Sequence, residues 1–86
     1  MLLGTLLPFK GSGYWSEDNE ARRQAVNRWI RSRQDVDAVV DFDAAMRSAD
    51  DALALNPVYD SGDHLHPNDA GNAAMAGAID VKELLE

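Results

Sequence analysis

The 86-residue chain contains no cysteine, so it can form neither a disulfide nor a thiolate metal site. Basic residues are scarce: eight Lys and Arg stand against fifteen Asp and Glu, for a formal net charge of −7. Such an acidic chain is poorly suited to phosphate backbones and anionic lipid headgroups, so neither nucleic acid nor a membrane surface is expected as a partner. No apolar run approaches the roughly 20 residues of a membrane span. The longest apolar stretch, MLLGTLLPF, lacks a basic flank and a small-residue cleavage site, and Gly4 and Pro8 interrupt it. It reads as a buried strand and not as a targeting segment.

The hydrophobic content of 45% is enough to support a packed core. The length allows one domain, spanning residues 1–86, with modest stability of its own. The continuous apolar run at 2–7, ended by Pro8, suits a strand covered on both faces, as in a parallel sheet. A Gly-punctuated loop follows. Ser16 then predicts an N-cap, with Glu17, Asp18 and Glu20 placed at the positive end of a helix that runs to about Arg33. Ala21, Ala25, Val26, Trp29 and Ile30 recur at helical spacing and predict its apolar stripe. The arginines at 22, 23, 28, 31 and 33 read as a solvated face. Residues 37–43 predict a second short strand with acidic ends, and residues 44–47 a short helical piece. Asn68 or Asp69 caps a last helix from about Ala70 to Leu85, in which Gly71 and Gly77 allow close packing at a cost in helix propensity. The order β-α-β-(short α)-α makes a parallel βαβ crossover the expected architecture, with ligands beyond the carboxyl ends of the strands.

Chemistry concentrates in YDSGDHLHPNDAG, residues 59–71, which holds both histidines of the chain among Asp60, Asp63 and Asp69. Asp63 and His66 lie three apart in a turn. That spacing lets the carboxylate accept a hydrogen bond from imidazole Nδ1, fix the tautomer and leave Nε2 free as a base. His64 and His66 with the neighbouring carboxylates also have the composition of a metal site. A third reading is structural, with turn aspartates bonding their own backbone and the histidines on the surface.

The stretch DSGDHLHPNDAGNAAMA resembles the last conserved block of the SGNH, or GDSL-type, serine esterases and lipases. In that block an aspartate is followed after two residues by His-Pro, and often by Asn-x-x-Gly. GTLLPFKGSGYW, EARRQAVNRWIRS and DAVVDFDAAMRS are similar to the segment that precedes it in one branch of the family. The resemblance implies a three-layer α/β/α, flavodoxin-like fold, of which this chain supplies about two parallel strands. It implies ester hydrolysis through a Ser-Asp-His triad with no cofactor, and it assigns the catalytic aspartate and histidine to Asp63 and His66. His64 falls on a variable position of the block, which lowers the metal reading.

The family's Gly-Asp-Ser nucleophile motif is absent from these 86 residues, since Gly62-Asp63 is followed by His64. Ser61 is near the block but lacks a nucleophile turn. The chain is therefore expected to be a C-terminal portion of such an esterase, inactive alone, acting on an ester only with an N-terminal portion. The rival expectation is a non-catalytic module that associates with itself or with another chain, because two strands leave apolar faces and sheet edges uncovered. A homo-oligomer is expected on the same ground, with residues 2–7 or the apolar stripe of the first helix in its interface.

Overall fold

The computed structural model describes residues 2–79. It is a small α/β unit in which β1 (Leu2–Gly4) and β2 (Ala38–Val40) form a two-stranded parallel sheet, with Leu2, Leu3 and Gly4 opposite Ala38, Val39 and Val40. Helix α1 (Glu17–Arg31) lies between them in sequence; α2 (Phe42–Met46) and α3 (Asp69–Gly77) follow. This agrees with a partial α/β/α fold.

Local chemistry sets the helix starts. Ser16 Oγ accepts from Asn19 N at 3.0 Å and caps α1, and Asn68 Oδ1 accepts from Gly71 N at 2.8 Å and caps α3. The expected extension of α3 toward Leu85 falls outside the described residues.

Both strands are shorter than expected. One ladder bond continues beyond β1, from Thr5 N to Val40 O. The next peptide is then captured by a side chain: Asn27 Oδ1 accepts from Leu6 N at 2.7 Å, and its Nδ2 donates to Leu6 O at 3.0 Å. An amide side chain that matches both backbone groups replaces a neighbouring strand and ends the extended pairing.

The same contact decides which face of α1 turns inward, and here the structure corrects the apolar stripe. The buried residues of the helix are Glu20, Arg23, Asn27 and Ile30. Ala21, Ala25, Val26 and Trp29 are exposed, and Trp29 carries the Arg33 guanidinium over its ring at 4.5 Å. Arg23 is likewise no part of a solvated face. Its Nε and Nη2 form a fork onto Glu20, and its Nη1 reaches Asp43 Oδ1 at 2.8 Å. Arg31 Nη2 joins from the rim, 2.8 Å from Asp43 Oδ2, and its guanidinium also pairs with Asp41. Positions 20, 23, 27 and 30 share one face, so the helical period is intact. Polar groups occupy that face because each finds a partner there. No buried side-chain nitrogen or oxygen among the described residues lacks one.

The apolar core is small: Ile30, Val40, Met46 and Leu55, with Pro8 also enclosed. Gly71 lets α3 approach α2 and the preceding loop. A Cβ there would lie 2.8 Å from Pro67 Cβ and Tyr59 O and 3.0 Å from Met46 Cε, whereas one at Gly77 would meet nothing. The close packing expected at the two glycines thus occurs at the first.

Candidate functional site

Residues 60–67 form a closed turn ahead of α3. Asp60 and Pro67 make an antiparallel bridge at its base, Ser61 N donates to His66 O at 3.1 Å, and Asn68 N donates to Tyr59 O at 2.8 Å. The Asn68 side chain has a double role. While its oxygen caps α3, its Nδ2 donates to Val58 O and Asp60 O, tying the turn to the helix start.

Asp63 stands inside this frame. Its Oδ1 accepts from Ser61 Oγ at 3.0 Å and from Leu65 N and His66 N at 2.9 Å each, while its Oδ2 lies 2.6 Å from His66 Nδ1. The His66 imidazole, then the backbone N–H groups of His66 and Leu65, hold the Asp63 carboxyl well below the usual carboxylate range. An ionised carboxylate only accepts, so Nδ1 of His66 carries the proton and a neutral ring keeps its lone pair on Nε2. The His66 side chain is 70% exposed, which leaves that nitrogen open. This is the geometry of an oriented base. Ser61, the nearest serine in sequence, gives its hydroxyl proton to Asp63 and not to the imidazole.

A second histidine–aspartate pair was not legible as such in the sequence. His64 Nδ1 lies 2.6 Å from Asp60 Oδ2, while Asp60 Oδ1 accepts from Gly62 N and His64 N at 2.8 and 3.0 Å. The signal was the four-residue spacing of Asp60 and His64. Meeting requires His64 to take the left-handed backbone conformation, with φ of +61°. Burial pushes the Asp60 carboxyl up, but the bonds from Gly62 N and from the His64 ring and backbone outweigh it and hold it below its ordinary value. The two imidazoles therefore bond separate carboxylates. Among the described residues no group of three or more His, Asp or Glu is placed to hold a metal ion. No described helix is long and apolar enough to cross a membrane.

Beside the turn, at the carboxyl end of β1, lies an open, mainly apolar groove of about 440 Å³, lined by Leu6, Leu7, Phe9, Val26 and Leu65 together with Asn19, Arg22 and Arg23. Leu65 sits between the two histidines in sequence, so the groove adjoins the turn that carries His66.

These carboxylates predict acid sensitivity. Asp41, Asp60 and Asp63 all have lowered folded-state values. Such groups add stability that is fully present above their unfolded value of about 3.9, and it is lost as pH falls through the lower folded values. Thermal melts followed by circular dichroism are expected to lose several degrees of midpoint between about pH 4 and pH 2 through these groups. A midpoint that stayed level or rose over that interval would contradict the assignment.

No curated protein matches the chain. The profile of the family described as GDSL-like Lipase/Acylhydrolase matches residues 2–79, the whole of the described structure, including both strands, α1 and the turn with Asp63 and His66. By that match the chain belongs to the GDSL-like lipase/acylhydrolase family.

Proposed function

We propose that residues 1–86 are one C-terminal segment of a GDSL-type carboxylic-ester hydrolase and carry the acid–base half of its Ser-Asp-His machinery. The observation that carries the proposal is the Asp63–His66 bond at 2.6 Å with the remaining imidazole nitrogen open. In this reading His66 Nε2 takes the proton from a serine hydroxyl as that oxygen attacks the ester carbonyl. Asp63 steadies the imidazolium, which returns the proton to the departing alcohol. Water activated by the same nitrogen then hydrolyses the acyl-enzyme. The serine comes from a segment outside these 86 residues, because no Gly-Asp-Ser motif lies within them. This reading calls for no metal or organic cofactor.

The 86 residues alone are expected to hydrolyse short p-nitrophenyl esters no faster than a surface histidine does, since they hold no Gly-Asp-Ser motif and Ser61, the serine nearest His66 in sequence, bonds Asp63 and not the imidazole. Changing Ser12, Ser16, Ser32, Ser48 or Ser61 to alanine should leave that rate unchanged, and serine-directed phosphonates should not label the chain. Rapid, phosphonate-sensitive hydrolysis abolished by one of these substitutions would make the chain a complete miniature esterase and end the proposal.

A second reading, a non-catalytic self-associating module, has its own support. Leu6, Val26 and Trp29 are 47%, 40% and 55% exposed, and among the described residues β1 pairs on one edge only. Uncovered apolar area and a free strand edge favour association. In isolation the chain is expected to dimerise through this surface. Sedimentation from low to tens of micromolar should show the mass double. A compact monomer throughout would refute self-association.

A further inference from the structure

We propose that His64 is a positioning residue for His66: with Asp60 it clamps the turn against the loop after β1 and so holds the Asp63–His66 pair in register. The proposal rests on the catalytic reading of that pair. Three observations carry it. First, His64 holds a left-handed backbone, with φ of +61°, a conformation uncommon for residues other than glycine. That conformation brings the ring back onto Asp60. Second, Asp60 is the more buried of the two histidine-bonded carboxylates of the turn. Its side chain is only 9% exposed, one oxygen takes two backbone N–H groups, and the other takes His64 Nδ1 at 2.6 Å. Third, the ring lies against Gly11. A Cβ at that position would come within 3.2 Å of the imidazole Cγ and Cδ2, and Gly11 itself has φ of +97°.

The connection then runs in both directions from one side chain. The loop bearing Gly11 is tied to the body of the fold by Lys10 N, which donates to Leu53 O at 3.0 Å, and by the Lys10–Asp51 ion pair at 3.1 Å. On the other side, Asp60 is bridged to Pro67, and its neighbour Ser61 bonds the backbone of His66 through N and Asp63 through Oγ. His64 spans the gap between these two tied segments. Without its ring the turn keeps its base and its internal bonds to Asp63 but loses its lateral stop against the Gly11 loop, and the Asp63 and His66 side chains are 48% and 70% exposed. A strained local conformation maintained by surrounding contacts is the form such pre-organisation takes.

The test reads His66 itself in the chain as it stands. Near neutral pH and at low temperature, the His66 Nδ1 proton bonded to Asp63 should give a far-downfield proton resonance in nitrogen-labelled protein. His64→Gly keeps the positive φ and removes the ring. Asp60→Asn keeps an acceptor for Gly62 N and His64 N and removes the carboxylate. In both, the His66 resonance is expected to vanish or exchange with water at least about tenfold faster, while the far-ultraviolet spectrum stays near wild type and unfolding stays cooperative, with Asp60→Asn losing only the few degrees that its charge contributes. An unchanged His66 resonance in either folded variant overturns the proposal. So does loss of the resonance only together with general unfolding, which would make His64 a stabilising residue and nothing more. This readout does not depend on turnover, so an esterase reading that fails leaves the clamp to stand or fall alone.

Discussion

Replacing Asp43 by alanine is expected to abolish cooperative folding or lower the thermal midpoint by on the order of 15 °C. Asp43 is the hinge of the charged network under α1. One oxygen takes Arg23 Nη1 and the other Arg31 Nη2, each at 2.8 Å, and its side chain is 4% exposed. Its backbone N–H donates to Thr5 Oγ1 at 2.9 Å, fixing α2 against the end of β1. Alanine leaves that last bond in place and leaves Arg23, whose side chain is 2% exposed, with Glu20 as its one counter-charge and a long bond to Leu6 O at 3.4 Å. Breaking a buried ion pair from one side costs about 3–5 kcal/mol, because the remaining charge stays desolvated. A domain of this size has a total stability of roughly 4–13 kcal/mol, so the loss is decisive. Asp50→Ala, at an exposed position, should change stability by no more than about 0.5 kcal/mol. Urea unfolding of the two variants makes the comparison. An Asp43→Ala protein within about 1 kcal/mol of wild type would show that the network contributes far less than its geometry indicates.

The second large effect concerns chemistry. If a serine-bearing N-terminal portion of a GDSL-type hydrolase is added to this chain and turnover appears, His66→Ala should reduce it by on the order of 10⁶, to background. Asp63→Ala should cost less, roughly 10⁴, because the aspartate orients the ring and steadies its charge without itself transferring the proton. The order of the two effects matters more than their size. Asp63→Ala as harmful as removing the imidazole would mean that the turn collapses without its carboxylate. That is a structural outcome, visible as loss of the backbone bonds from Leu65 and His66. A harmless His66→Ala would remove the imidazole from the reaction altogether.

The sequence revealed features that are local. Ser16 and Asn68 announced the starts of α1 and α3, because a cap is satisfied within three residues of itself. The spacing of Asp63 and His66 suggested their contact for the same reason. The buried face of α1 was hidden, because Glu20, Arg23 and Asn27 are surface residues unless something distant matches them. Asp43 and the Leu6 peptide match Arg23 and Asn27 across 17 to 21 residues of sequence, and Arg23 in turn matches Glu20. A search for apolar periodicity passes over a face filled by paired charges, and selected Val26 and Trp29 instead. The end of β1 was misjudged on the same ground: Leu6 and Leu7 look like strand, but Asn27 takes the Leu6 peptide. In the sequence His64 stands out only as a candidate metal ligand beside His66; its pairing with Asp60 was hidden because it goes with a backbone angle that composition does not disclose.

The outward side of α1 and the groove beside Leu65 bear on one question, whether a serine-bearing segment docks here and completes the site. The most direct measurement is covalent labelling. A tagged serine-directed fluorophosphonate is mixed with the serine-bearing segment alone, with this chain alone, and with both. The account predicts labelling of the segment's serine only when both are present, and none when the added chain carries His66→Ala. Equal labelling of the segment with and without this chain would contradict the claim that His66 serves a serine outside these residues, as would a label carried by this chain itself.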